Sequence, residues 1–338
     1  MNRQCAKGKT DEKCPDSEQI SILKNQQAQR KINWIQSLLS HQVDDFVHSP
    51  KWKHYRSRIS VRPNKNGVLG YYRQKSHDHL PLKNCPLAHR EINALLSKLP
   101  PLSFPADAIE FRSDYQKIVA SVTSKRRLER PQIIEWAKGN QIDLVLNGKP
   151  IHGDGRIHIT CGNIRHRIRP KTFYQVNLEV NEMLLSNLID TIDRLQPTHI
   201  LDLFAGAGNL SLPLVKKGYG ATLIESASSS CADARETIKR ESLQATILQK
   251  NAYNFTAGQT FFDVAILDPP RKGCVNVIPQ ILMTSPKAIV YISCNPKALA
   301  KDIKPIITAG YKIEQLILFD MFPQTDHVEV FCVLTKNT

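Results

Sequence analysis

The sequence predicts an α/β protein: a mostly parallel sheet in the C-terminal half, joined to a basic, mainly antiparallel β region. Three observations carry this expectation. The second half alternates short apolar runs with helical patterns, as a parallel sheet with crossover helices requires. The first half alternates at strand period and carries hairpin turn signals. The charge is divided in the same way: residues 1–170 hold 30 Lys+Arg against 15 Asp+Glu, and residues 171–338 hold 16 against 16, so the net charge of +15 lies wholly in the first half. A basic half beside a neutral half suits a protein that grips a polyanion with one part and acts on it with the other.

From the N-terminus, residues 17–40 read as one amphipathic helix, with Ala28, Ile32, Ile35 and Leu39 at helical spacing and Ile20 and Leu23 extending the apolar face. Residues 42–165 read as mainly antiparallel β, with Asn66-Gly67 marking a hairpin turn. In "GNIRHRIRP", Arg165, Arg167 and Arg169 fall on one face of a strand, because side chains repeat every second residue, and such a face suits phosphates. Five strands are then expected at 199–205, 220–226, 245–251, 262–268 and 288–294. Two more runs, 311–322 and 327–336, are joined only by "PQTD", too short for a parallel crossover, so they form an antiparallel hairpin. The expected domains are 1–41, a cysteine-containing segment and helix; 42–165, a basic domain suited to a polyanion; and 166–338, the parallel-sheet domain.

The chain contains no apolar run long enough to span a bilayer and no signal pattern at its start, which predicts a cytoplasmic protein with no membrane partner. Eight cysteines, at 5, 14, 85, 161, 231, 274, 294 and 332, follow no tight repeat, and in a reducing compartment that favours free thiols, catalysis or metal over disulfides.

The motifs gather at the ends of the C-terminal strands. In "LDLFAGAGNLSLPL" (201–214), Gly206 and Gly208 turn the backbone tightly before a helix, and Glu225 ends the next strand about twenty residues on, where a carboxylate suits ribose hydroxyls. A dinucleotide and S-adenosylmethionine both fit, but the third glycine position is Ser211, which weighs against the dinucleotide. "LDPPRKG" (267–273) stiffens the end of another strand with two prolines after Asp268. "IVYISCNP" then delivers Cys294 to the same edge. A lone cysteine there is more often a core filler than a nucleophile, and only its company shifts that balance. Glu329, within "HVEVFCV", reads either as an edge carboxylate or as a base whose proton affinity is raised by apolar neighbours.

Taken together and in order, "LDLFAGAGN", "DPPR", "SCNP" and "HVEV", preceded by "FYQVN" at 173–177, resemble the RNA uracil-C5 methyltransferases. "YRSRISV", "GVLGYYRQ", "NCPL" and "LFDMFPQTDHVEV" are most similar to the branch that modifies 23S ribosomal RNA and lacks a TRAM domain. The resemblance implies a Rossmann-like class I methyltransferase domain with a seven-stranded sheet, and a monomer acting on RNA, most simply 23S rRNA, with tRNA as the alternative substrate. It implies Cys294 as the nucleophile attacking uracil C6 and Glu329 as the acceptor of the C5 proton. S-adenosylmethionine would then be held by Gln175, Phe204, Asn209, Glu225 and Asp268, with Asn251 near the adenine.

The branch also implies a [4Fe-4S] cluster on four cysteines. Cys5, Cys14 and Cys85 match three of them, but Ser17 stands in the remaining position. A cluster completed by Asp16, Ser17 or water, and loss of the cluster, are both open. Two rivals fit less well. An amino-group methyltransferase needs no thiol and tends to carry Asn-Pro-Pro-aromatic, and an RNA-binding module with a vestigial site would not be expected to keep both Cys294 and Glu329.

Overall fold

In a computed structural model, residues 17–336 are described apart from 74, 75, 77, 259 and 260, with side chains described from residue 23 onward. Helix α1 (Ser17–Leu39) is followed by a short strand, β1 (Asp45–Val47). Ala28 and Ile35 of α1 are buried, with Ile32 and Leu39 packed at the margin of the core, as the helical spacing predicts. Leu23, expected on the same face, is instead 45% exposed, and the buried face is completed by polar Gln27 and Lys31.

The basic region follows in chain order as β2 (Arg58–Pro63), β3 (Leu69–Tyr72), β4 (His79–Pro81), α2 (Arg90–Lys98), β5 (Ala108–Ser113), β6 (Ile118–Thr123), α3 (Arg130–Gly139), β7 (Asp143–Leu146) and β8 (Lys149–His152). These strands make one sheet of order β4-β3-β2-β5-β6-β7-β8. Its pairings are antiparallel except β6 with β7, where α3 supplies the crossover that a parallel pair needs. Ile59, Val61, Ile109, Phe111 and Leu144 alternate onto the face that Ile92, Leu96 and Ile133 of α2 and α3 cover. Gly67, at φ +76°, forms the turn between β2 and β3. A separate hairpin, β9 (Ile157–Cys161) with β10 (Ile164–Ile168), closes this part of the chain.

The remainder is doubly wound: α4 (Leu178–Leu195), β11 (His199–Leu203), α5 (Ser211–Lys216), β12 (Gly220–Glu225), α6 (Ser228–Arg240), β13 (Ala245–Gln249), β14 (Val264–Leu267), α7 (Ile278–Met283), β15 (Ala288–Ser293), α8 (Pro296–Thr308), β16 (Tyr311–Phe319) and β17 (Glu329–Lys336). The sheet order is β1-β16-β17-β15-β14-β11-β12-β13, so the expected seven strands gain an eighth, β1, parallel to β16. β17 is antiparallel to both of its neighbours, the hairpin anticipated from the short link. Apolar clusters cover both faces of the sheet. Double burial explains why β14 and β15 read as continuous apolar runs, every residue of both being buried. Strand order reverses between β11 and β14. At such a switch the crevice outside the carboxyl ends opens, and Phe204 and Asp268 leave the sheet there.

Candidate active site

Register brings the reactive side chains together. β15 and β17 pair Ser293 with Val330, so the next step along the antiparallel ladder sets Cys294 against Glu329. β14 lies on the other side of β15, pairing Leu267 with Tyr291, which places Asp268 on the neighbouring strand opposite Ile292, two residues short of Cys294. Cys294 is half-buried, while every other cysteine among the described residues is buried. Pro296 begins α8, and the chain passes from strand to helix through Cys294 and Asn295. Asn295 Nδ2 donates to the Arg271 carbonyl at 2.6 Å and Asn295 N to Ser293 Oγ at 3.1 Å, locking this connection onto the "DPPR" loop.

The electrostatics are mixed. Burial, with the charges of Glu329 and Asp268, pushes the Cys294 thiol up to about 11, and the Arg271 guanidinium pulls the other way. Glu329 is 2% exposed; its carboxyl is pushed well above the usual range by burial and by Asp268, against Arg271. Asp268 is raised by burial too. Two carboxyls in one low-dielectric site resist losing both protons.

On the cofactor side of the edge, Phe204, Gly206 and Gly208 have φ of +65°, +57° and +81°. Gly206 N donates to Glu225 Oε2 at 2.9 Å, and Ala227 N to Glu225 Oε1 at 2.6 Å, so Glu225 ties two loops at the strand ends. A Cβ on Gly206 would meet nothing within 4 Å, which marks an open cradle, whereas one on Gly208 would lie 2.5 Å from Leu212 Cγ. Beneath the cradle, burial with the nearby charges of Asp268 and Glu225 lifts buried Asp202 to about 7, against the pull of the neighbouring Ser211 hydroxyl. An open cradle over three carboxyls fits S-adenosylmethionine, whose sulfonium and ammonium groups are cationic. Gln175 is half-buried between buried Tyr174 and Val176.

Several of the predicted residues also make hydrogen bonds or ion pairs within the protein. The Asn209 amide exchanges hydrogen bonds with Asn181 at 2.9 and 3.0 Å and so anchors α4 to the glycine loop. Asn251 Oδ1 accepts from Tyr253 N at 3.1 Å, capping the 3-10 turn Ala252–Asn254. Two members of the expected arginine face serve the protein itself: Arg169 meets Asp233 and Arg167 meets Glu236, and with Arg156, just before β9, they bind the hairpin to α6. Arg165 is exposed, its guanidinium 3.0 Å from His158 Nδ1. Cys85 is buried, with the Tyr71 hydroxyl donating to its sulfur at 3.9 Å. Cys5, Cys14 and Asp16 lie outside the described residues, as does the side chain of Ser17, and no group of three or more metal-ligating side chains occurs among the described ones.

Three contributors carry little local signal. Arg271 lies within a quoted motif, yet nothing in the pattern says that it lowers the thiol. Tyr253 stands edge-on to Phe204 at 5.2 Å, donates to the Gly273 carbonyl at 2.8 Å, and has the Lys272 ammonium 3.7 Å from its ring centre. Asp302, buried on α8, accepts from Cys274 N at 2.6 Å and from the Tyr291 hydroxyl, pinning the far end of the "DPPRKG" loop.

The profile of the tRNA (Uracil-5-)-methyltransferase family matches residues 110–337, about two thirds of the chain. The 23S rRNA (uracil(1939)-C(5))-methyltransferase RlmD of Aeromonas hydrophila is 27% identical over 302 residues, covering 83% of this chain and 69% of that protein. The RlmD of Yersinia enterocolitica is 28% identical over 303 residues, covering 83% and 68%. Among solved structures, the tRNA (uracil-54, C5)-methyltransferase of Pyrococcus abyssi, in complex with S-adenosyl-L-homocysteine, superposes with a TM-score of 0.78 at 22% identity, covering 92% of this chain and 83% of that one. At that identity the superposition establishes the shared fold. No helix among the described residues is long and apolar enough to cross a membrane.

Proposed function

The chain belongs to the tRNA (uracil-5-)-methyltransferase family and is an S-adenosylmethionine-dependent methyltransferase, and from that premise we propose that it methylates C5 of a uridine in 23S rRNA through a covalent adduct of Cys294. The observation that carries this reading is the ladder position of Cys294 opposite Glu329, at the sheet edge where the glycine cradle opens.

Uracil C5 is a weak nucleophile. Cys294 Sγ adds to C6, and the electron pair of the C5–C6 double bond moves to C5 and the adjoining carbonyl, giving the enolate that is alkylated. S-adenosylmethionine, when bound, would supply the electrophilic methyl group, with S-adenosylhomocysteine as the leaving group. Glu329 then takes the C5 proton, the C5–C6 double bond re-forms, and the Cys294 thiolate is expelled. Arg271 and the start of α8 favour the thiolate. The raised proton affinity of Glu329 makes it a strong acceptor once ionised, and a cation bound in this acidic pocket favours ionisation.

Phe204, Glu225, Asp268 and Gln175 would hold the cofactor, with Asn209 acting through Asn181 to set the loop. The basic segment 42–165 would hold the RNA, and the target base must be extruded from its stack to reach Cys294. No step runs through an iron-sulfur cluster. The 23S substrate rests on the relatives, and the family profile and the archaeal fold keep tRNA as the second substrate to be tried.

Incubation with methyl-labelled S-adenosylmethionine and either unmodified 23S rRNA or tRNA separates these substrates. Cys294→Ala should cut transfer by on the order of 10³-fold or more. Glu329→Gln should accumulate a protein–RNA complex that survives denaturation, because the adduct cannot resolve. Wild-type rates from Cys294→Ala would overturn the covalent route.

A further inference from the structure

Sorting the cations of the basic region by what they touch leaves several exposed ones without a carboxylate, and five of these gather around one groove. Arg156, Arg167 and Arg169 are committed to α6, Arg112 to Glu110, and Lys117 to Asp143 and Asp154. By contrast, Lys65, Lys125, Arg126, Arg127 and Arg130 are exposed, and none of their charged heads meets a carboxylate within ion-pair distance among the described residues. Lys125, Arg126, Arg127 and Arg130 follow β6 into α3; Lys65 stands on the β2–β3 turn. Lys65 and Arg126 line a groove of about 550 Å³, together with Asn64, Asn66, Tyr72 and Ser124.

The groove is built, not incidental. Leu102 N donates to the Gly67 carbonyl at 2.9 Å, and a Cβ on Gly67 would lie 2.3 Å from Leu102 O, so two of its walls close on a glycine. Ser124 and Asn147 exchange hydrogen bonds at 3.0 Å, fixing the third wall. Asp107, the acidic residue of the lining, is turned onto the backbone N–H of Lys125 at 2.7 Å, which orients the cationic run. Glu129, exposed, is the acidic residue within the cationic run itself.

Its position matters as much as its charge. β2 and β6 end at this groove, and β5 begins there. The opposite end of β2 meets the catalytic half, where Ser57 N and Oγ both donate to the Val176 carbonyl, at 2.8 and 3.0 Å. A six-residue strand separates the two ends by about 20 Å.

We propose that this distal groove and its crest grip the phosphodiester backbone of the substrate RNA at a second point, remote from the uridine at Cys294. The cluster is an exposed, pre-built array of unpaired cations beside amide and hydroxyl groups, the chemistry that positions phosphates without reading sequence. The inference rests on the reading of the chain as an RNA methyltransferase.

The test measures binding of unmodified 23S rRNA across a salt series, with wild-type protein and with the variant Lys125→Gln, Arg126→Gln, Arg127→Gln, Arg130→Gln. Removing four phosphate contacts should reduce the slope of log affinity against log salt by about 3, and should weaken binding at least tenfold near physiological salt. Methylation at saturating RNA should be unchanged, as should activity on a short hairpin around the uridine that wild type methylates. Restoring charge with Lys at the three arginine positions should recover the slope. Control substitutions Lys138→Gln and Lys149→Gln, exposed cations elsewhere on the region, should leave it alone. A wild-type slope from the fourfold variant would overturn the proposal while leaving the methyltransferase reading intact. A wild-type protein that neither binds nor methylates RNA would overturn both.

Discussion

Cys294 illustrates how a single side chain acquires a role from its surroundings. With its thiol held at about 11, only about one part in a thousand is thiolate at pH 8, so the rate of any reaction at its sulfur should climb about tenfold per pH unit between pH 7 and 9. The Arg271 charge lowers that pKa, so Arg271→Ala should raise it further and move the profile toward alkaline pH, slowing alkylation of Cys294 by iodoacetamide at pH 8 while keeping the slope. Peptide mapping of the alkylated protein reads this directly. A profile that is flat with pH, or unmoved by Arg271→Ala, would contradict the electrostatic account. The thiol, the carboxylate and the "DPPR" turn were legible in the sequence because each belongs to a short motif. The effect of Arg271 on the thiol was not, because it acts through space across 23 residues of chain.

At the scale of elements, the glycine loop between β11 and α5 shows two glycines required for different reasons. Both have positive φ, costing an alanine about 1–3 kcal/mol of strain. Gly208→Ala adds a clash with Leu212 and should lower the melting temperature markedly. Gly206→Ala has room for its methyl group, so it should melt closer to wild type but bind S-adenosylmethionine more weakly, because the methyl group occupies the cradle. Thermal melts and calorimetry of the two variants check the order, and a reversed order would show that the cradle is misplaced. β14 and β15 were legible because doubly buried strands are apolar throughout. The partners of the β10 arginines were not: alternation placed Arg167 and Arg169 on one face, but Asp233 and Glu236 lie more than sixty residues on.

Across the whole molecule, the N-terminal helix braces the catalytic edge. Lys31 Nζ lies 2.7 Å from Asp320 Oδ1, and Gln27 Nε2 is 3.2 Å from the same atom, all three residues being at least 94% buried. Asp320 opens the loop that leads to Glu329. The same loop is held by the Tyr55 hydroxyl on the Pro323 carbonyl at 3.1 Å and by Gln324 Nε2 on the Trp52 carbonyl at 2.7 Å. Lys31→Met strands a buried carboxylate and should cost about 3–5 kcal/mol in denaturant unfolding, whereas Lys31→Met with Asp320→Leu should recover most of it. Equal losses in the single and double variants would show that the pair does not act as a unit.

Local information, meaning the period of apolar residues, the turn glycines and the short motifs, determined the fold class, the strands and the identity of the reactive side chains, because each depends on neighbours within one element. Tertiary structure alone decided which cations are spent and which remain, that β1 extends the catalytic sheet, that Asn209 holds a helix, and that α1 braces the loop before Glu329. Those outcomes turn on pairs separated by tens to hundreds of residues. Their partners are chosen by the packing of whole elements, which buries Lys31 against Asp320 and leaves Arg126 facing water.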